Sequence, residues 1–157
     1  MKNRYNHFLT LLLISSLCFS ALSCKKKKKE DVAPEDKVTS LNLILDAPKG
    51  KEDVIMSLND VTGISGKTAP VTVTLDANTL YTGTITLEDE SVPPKKDVTN
   101  DFSVSYRVSG VDLTVTANGK TPQVQTKAPN ASTGAFLEII LTKNTKNSTT
   151  KFPLVVR

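Results

Sequence analysis

The sequence predicts an all-β fold: a single antiparallel β-sandwich of about seven to eight strands with immunoglobulin-like architecture. Three observations carry this. From residue 37 onward, apolar residues recur at every second position in short runs, the period that puts one face of a strand in a core and the other in water. Gly, Pro, Asn and Asp punctuate those runs, and no stretch carries the stripe of an amphipathic helix. Two one-sided sheets bury their apolar faces against each other, which makes a sandwich; an open barrel is the competing all-β form. The Cys and Trp marks of a true immunoglobulin domain are missing, since the chain has no Trp and only Cys18 and Cys24.

The elements follow in order. Leu41/Leu43/Leu45 alternate with Asn42 and Asp46, and Val54/Met56/Leu58 with Ser57 and Asn59. Val71/Val73/Leu75 and Tyr81/Ile85/Leu87 alternate with threonines, which are β-branched and polar and suit a wet sheet face. Phe102/Val104/Tyr106/Val108 and Leu113/Val115/Ala117 flank Ser109-Gly110, which reads as a two-residue hairpin turn. Leu137/Ile139/Leu141 and Phe152/Leu154/Val156 supply the last two strands. Further turns fall at Ala47-Pro48-Lys49-Gly50, Asp76-Ala77-Asn78-Thr79 and Asn118-Gly119-Lys120. Polar connections at residues 60–69, 89–101 and 121–134 are where a rigid sandwich would carry binding residues.

Ahead of the domain lies an address. Lys2, Arg4 and His7 precede the apolar run Phe8 to Ile14, which continues through Leu17 and Phe19 to Ser20-Ala21-Leu22-Ser23. This is the charged, apolar and small-residue order of a secretory signal. A membrane-spanning helix needs about 20 continuous apolar residues, and Ser15, Ser16 and Ser20 interrupt this run. Ala21-Leu22-Ser23-Cys24 resembles the lipobox of bacterial lipoproteins. That resemblance implies that Cys24 is acylated and becomes the first residue of the mature chain, anchoring it to the outer membrane of a diderm bacterium on either face. The organisation expected is a signal peptide over 1–23, an acylated Cys with a Lys-rich and acidic linker over 24–36, and the sandwich over 37–157.

Charge and composition narrow the chemistry. Lys2, Arg4 and Lys25 to Lys29 account for seven of the 20 basic residues, so from residue 30 onward thirteen basic face sixteen acidic side chains. The lysine block has no interleaved aromatics, which argues against nucleic acid; it suits a tether near anionic headgroups, at about 1 kcal/mol per Lys. His7, Cys18 and Cys24 are the only His and Cys, all inside or at the edge of the signal. A mature chain without imidazole or thiol lacks the parts of Ser-His and Cys-His nucleophiles and of zinc cages. The expectation is a non-enzyme with no cofactor and no metal.

The densest cluster of chemistry-bearing residues is Glu88, Asp89, Glu90, Asp97 and Asp101, interrupted by Pro93-Pro94-Lys95-Lys96. These carboxylates are a candidate cation or partner loop, because a hard cation such as calcium takes six to eight oxygens. Their spacing fits no calcium-loop pattern, and a solvated acidic loop is the plainer reading. Phe136 and Ile140 share the outward face of their strand, as a partner patch or as part of a strand buried on both faces. Tyr81 and Tyr106 read as core residues with rim hydroxyls. The glycosylation patterns at Asn130-Ala131-Ser132 and Asn147-Ser148-Thr149 carry no information in a bacterial lipoprotein.

Val71 to Ser91, with Ala77-Asn78-Thr79-Leu80-Tyr81-Thr82-Gly83 at its centre and Asp97-Val98-Thr99 beyond, resembles an uncharacterised family of small bacterial surface lipoproteins. The similarity covers about residues 40 to 99. In many members an acidic, His-containing run follows the Asp-x-Thr, which implies metal handling beside an outer-membrane transporter. Here Asn100-Asp101-Phe102-Ser103 follows instead, with no His. The function expected is a membrane-anchored binding module accessory to an outer-membrane transporter or another envelope partner. A structural or adhesive envelope protein, and a carboxylate-based or metal-binding protein using residues 88–101, are the alternatives.

Overall fold

The computed structural model describes residues 37–157 apart from 92, 117–118 and 130–133. Ten strands are laid down in chain order: β1 Ser40–Asp46, β2 Val54–Asn59, β3 Val73–Leu75, β4 Leu80–Asp89 and β5 Lys96–Asp97, then β6 Ser103–Ser109, β7 Leu113–Thr116, β8 Gln123–Thr126, β9 Phe136–Lys143 and β10 Lys146–Val156. One sheet has the order β2-β1-β4-β8-β7, with β5 pairing the end of β4; the other has the order β3-β10-β9-β6. The all-β sandwich read from the alternation is the architecture, with ten strands where seven to eight were expected. Residues 1–23, expected as a signal peptide, with Cys18, then Cys24 and the linker expected to residue 36, and Ala117, Asn118 and Asn130 to Ser132, lie outside the described residues.

The alternation works as anticipated in the long strands. Leu41, Leu43 and Leu45 of β1 are fully buried, as are Met56, Leu87, Ile139 and Phe152. Each such side chain contributes roughly 1.5–3 kcal/mol by leaving water. The resulting core runs from Val38 to Val156 and draws on both sheets, and Pro34–Arg157 forms one compact unit.

Four local expectations need correction. Ser109-Gly110 is an arch between sheets, not a hairpin: β6 pairs β9 while β7 pairs β8. Gly110 sits at φ +73, and a Cβ there would come within 2.9 Å of the Ala135 Cα. An arch and a hairpin use the same turn chemistry, so alternation cannot separate them. The sandwich is also not purely antiparallel, because β3 runs parallel to β10. β10 is eleven residues long and its backbone needs partners on both flanks; residues 66–69 join β3 in supplying them. Gly66 and Ala69 donate to the Thr149 and Lys151 carbonyls, each at 2.7 Å, and Lys151 donates to Lys67 at 3.0 Å. Thus the last four residues of the 60–69 connection are sheet edge.

The third correction concerns β8 and β5, which fall inside expected polar connections. β8 reads Gln-Val-Gln-Thr, with Val124 and Thr126 buried, and an inward Thr leaves no hydrophobic period to see. The last concerns strand limits. Val71 is exposed and β3 starts at Val73, while β9 and β10 extend to a hairpin at Asn144-Thr145, both at positive φ. Phe136 and Ile140 are half-buried on the outer face beside buried Glu138.

Candidate functional site

Three different elements place four of the five sequence-selected carboxylates, and Glu90 follows the end of β4. Glu88 and Asp89 end β4, Asp97 ends β5, and Asp101 closes the short 3-10 turn Thr99–Asp101. Register sets Glu88 opposite Asp97 and Asp89 opposite Lys96. Like charges in that position repel, and each has its own compensation. Glu88 Oε1 takes a bond from Lys95 Nζ at 2.8 Å, which raises the Lys95 pKa above the usual lysine value. Asp97 accepts the Thr99 N–H at 2.8 Å, and hydrogen bonding from Thr99 holds its pKa below the ordinary aspartate value.

The other three serve as local ties. Asp89 Oδ1 accepts from Ser91 N–H and Oγ at 2.9 and 2.6 Å, and its Oδ2 accepts from the Lys37 N–H at 3.1 Å. The Glu90 N–H donates to Thr39 Oγ1 at 2.7 Å and its carboxylate accepts from Asn59 at 3.2 Å. Asp101 lies 3.6 Å from Lys143 and 3.9 Å from Lys96. Only Glu88 and Asp97 become neighbours in register, and among the described residues no group of three or more His, Cys, Asp or Glu forms a metal-holding set. The segment staples the entry of β1 to the exit of β4.

The Ala-Asn-Thr-x-Tyr-x-Gly stretch is likewise accounted for residue by residue. Asn78 adopts φ +52, a conformation Asn tolerates. Thr79 N–H donates to buried Thr126 Oγ1 at 2.8 Å, and Thr79 Oγ1 donates to the Ala77 carbonyl at 2.9 Å. Tyr81 is buried and its hydroxyl accepts the Asp76 N–H at 2.9 Å, an arrangement like the tyrosine corner of Greek-key sandwiches. Gly83 gives Pro122 room: an added Cβ would meet Pro122 Cγ at 2.7 Å.

This corner builds one wall of a cleft that no local sequence pattern marks. The cleft measures about 450 Å³ and is lined by Lys51, Glu52 and Asp53 from the β1–β2 turn, by Asp76 and Tyr81, and by Arg157 after β10. Lys51 bonds Thr79 Oγ1 and lies 3.3 Å from Asp76 Oδ2. Asp53 Oδ1 accepts the Ala47 N–H at 2.8 Å and closes the turn. Arg157 is held through its backbone, donating to Leu75 at 3.0 Å and accepting from Ala77 at 2.8 Å. Both turns are visible in sequence, but the β1–β4 pairing brings them together and the parallel β3–β10 pairing adds Arg157, and neither pairing leaves a local signal.

A second, more apolar cleft of about 350 Å³ lies at the other end, between Lys37, Thr62, Lys67, Phe102 and Ser148. Asp60 orders its rim, accepting from Thr62 N–H and Oγ1 at 2.8 and 2.6 Å and pairing Lys67 at 3.0 Å. These bonds, led by the Thr62 hydroxyl, hold the Asp60 pKa down to about 2. Tyr106 donates to the Gly119 carbonyl at 3.1 Å, and burial pushes its pKa up. No protein-family model, curated protein or solved structure matches the chain.

Proposed function

We propose that the protein is an exported, non-catalytic β-sandwich, lipid-anchored through Cys24, that holds a binding cleft away from the membrane. The observation that carries this is the placement of the charged cleft relative to Lys37, where the tether would join the domain. β1 starts beside Lys37 and runs seven residues to Asp46, about 24 Å at ~3.4 Å per residue. The Ala47–Asp53 turn that lines the cleft follows at its far end. Lys51, Arg157, Glu52 and Asp76 offer both signs of charge there, which suits a polar, charged solute or a charged segment of an envelope partner such as a transporter. Native mass spectrometry on the chain isolated from the envelope tests this. A retained solute that is lost in Lys51→Ala supports capture in the cleft, whereas a solute retained equally in that variant contradicts it.

A second reading, a structural or adhesive envelope protein, is favoured by the outer face of the larger sheet. Asn42, Ile44, Ile55, Ser57, Thr82, Thr84, Thr86, Thr114, Thr116, Gln123 and Gln125 share that face by register and form an uncharged stretch, bounded by Asp46 opposite Thr82 and by Glu88 opposite Ser40. Interface centres are depleted of charge in the same way. Glutamates at Thr84 and Thr114 would weaken cell-surface association under this reading and leave it unchanged under the first.

A further inference from the structure

We propose that β2 is a docking edge for a second copy of this chain, the two β2 strands pairing antiparallel about Ser57 and joining the two larger sheets into one. Among the described residues β2 pairs only β1. The Asp60 N–H donates to the Thr39 carbonyl at 2.7 Å, which fixes the phase of the ladder. Val54, Met56 and Leu58 direct their backbone groups to β1, so Ile55, Ser57 and Asn59 aim theirs at the open edge. Exposed strand edges are ordinarily blunted by charge, Pro, shortness or a cover. The edge strand β6 carries Arg107, and β3, β5 and β7 are two to four residues long. β2 has six residues, none charged and none Pro, with Ile55 64% exposed.

Self-pairing is the occupant that fits both the backbone phase and the charges. About Ser57, Ile55 faces Asn59 of the second copy and Ser57 faces Ser57, so every outward group of the strand is used in six hydrogen bonds. One step further out, Asp53 would face Val61 and Asp60 would face Val54, and no like charges meet. Centring on Met56 would set Glu52 against Asp60; centring on Ile55 would leave Asn59 opposite Lys51, outside the strand. Ile44, opposite Ile55 within the chain and 41% exposed, carries the apolar row to the seam. A paired strip about 20 Å long and one strand spacing of ~4.8 Å wide covers far less than the ~800 Å² per partner of stable complexes, so the dimer is weak and concentration-dependent.

Sedimentation velocity on residues 34–157, the unit that closes its own core, tests this from about 10 μM to about 1 mM, where a weak dimer fills. The expected result is a shift from monomer to dimer across that range. Ser57→Pro should abolish the shift without touching the β1 ladder, because the Ser57 N–H faces the open edge. Ser57→Lys and Ser57→Asp should each be monomeric, and their equimolar mixture should recover the dimer. A monomer throughout, a dimer indifferent to Ser57→Pro, or a mixture that fails to recover would each overturn the proposal; should Ser57→Pro not fold, the charge pair decides.

Discussion

The Tyr81 hydroxyl reaches back five residues to accept the Asp76 N–H at 2.9 Å, so the start of β4 holds the turn that leads into it. The same turn forms a wall of the charged cleft, which makes the corner a positioning device as well as a packing one. Tyr81→Phe should cost about 1–2 kcal/mol, the range for a hydrogen bond whose loss strands a part-buried donor. Tyr106→Phe should cost less, because its bond to Gly119 sits at the exposed rim. Urea unfolding midpoints of the two variants measure the difference.

Thr126 ties the turn from the other side. Its hydroxyl lies 2.6 Å from the Asp76 carbonyl and accepts the buried Thr79 N–H. Thr126→Val preserves volume and removes both, with an expected loss of about 1–3 kcal/mol. Amide exchange should quicken at Thr79 before it does at Leu43 or Ile139, which lie in the interior of their strands.

Gly83 and Pro122 form a pair that admits no added methyl on the glycine. Gly83→Ala should destabilise by about 1–3 kcal/mol, as overpacking does. Pro122→Ala in the same chain should return part of that loss, and a double-mutant cycle by thermal unfolding reads the coupling.

Asp60 sets an acid limit. Its folded pKa of about 2 lies below the ordinary 3.8, so its contribution to stability is present in full above pH ~4 and lost as pH falls through the folded value. The Asp60 carboxyl resonance should titrate with a midpoint near 2, and in Thr62→Ala that midpoint should move up toward 3.8. An unchanged midpoint in the variant would show that Thr62 is not the cause.

Much of the fold was legible because most long strands present one apolar face. Leu41, Leu43 and Leu45, or Leu137, Ile139 and Leu141, announce both their conformation and their burial. The legibility ends where polar side chains point inward. Buried Thr39, Thr79, Thr126 and Thr150 satisfy their hydroxyls within the fold, and to a period-two reading they are indistinguishable from surface threonines. The strand β8 and the ties that pin residues 64 and 90 disappear with them. The acidic cluster attracted attention because charge is conspicuous in sequence, yet its carboxylates are committed to neighbours such as Lys95, Ser91 and Thr99. The charged cleft joins residues 51, 76 and 157, and only sheet pairing brings them together.

The measurement that bears most directly on the proposed function is the intact mass of the protein extracted from the membrane fraction of the cells that make it. The expected mass is that of a chain beginning at Cys24 with acyl groups attached, absent from the membrane fraction in Cys24→Ala. An unmodified Cys24, or a Cys24→Ala chain that stays in the membrane fraction, would contradict it.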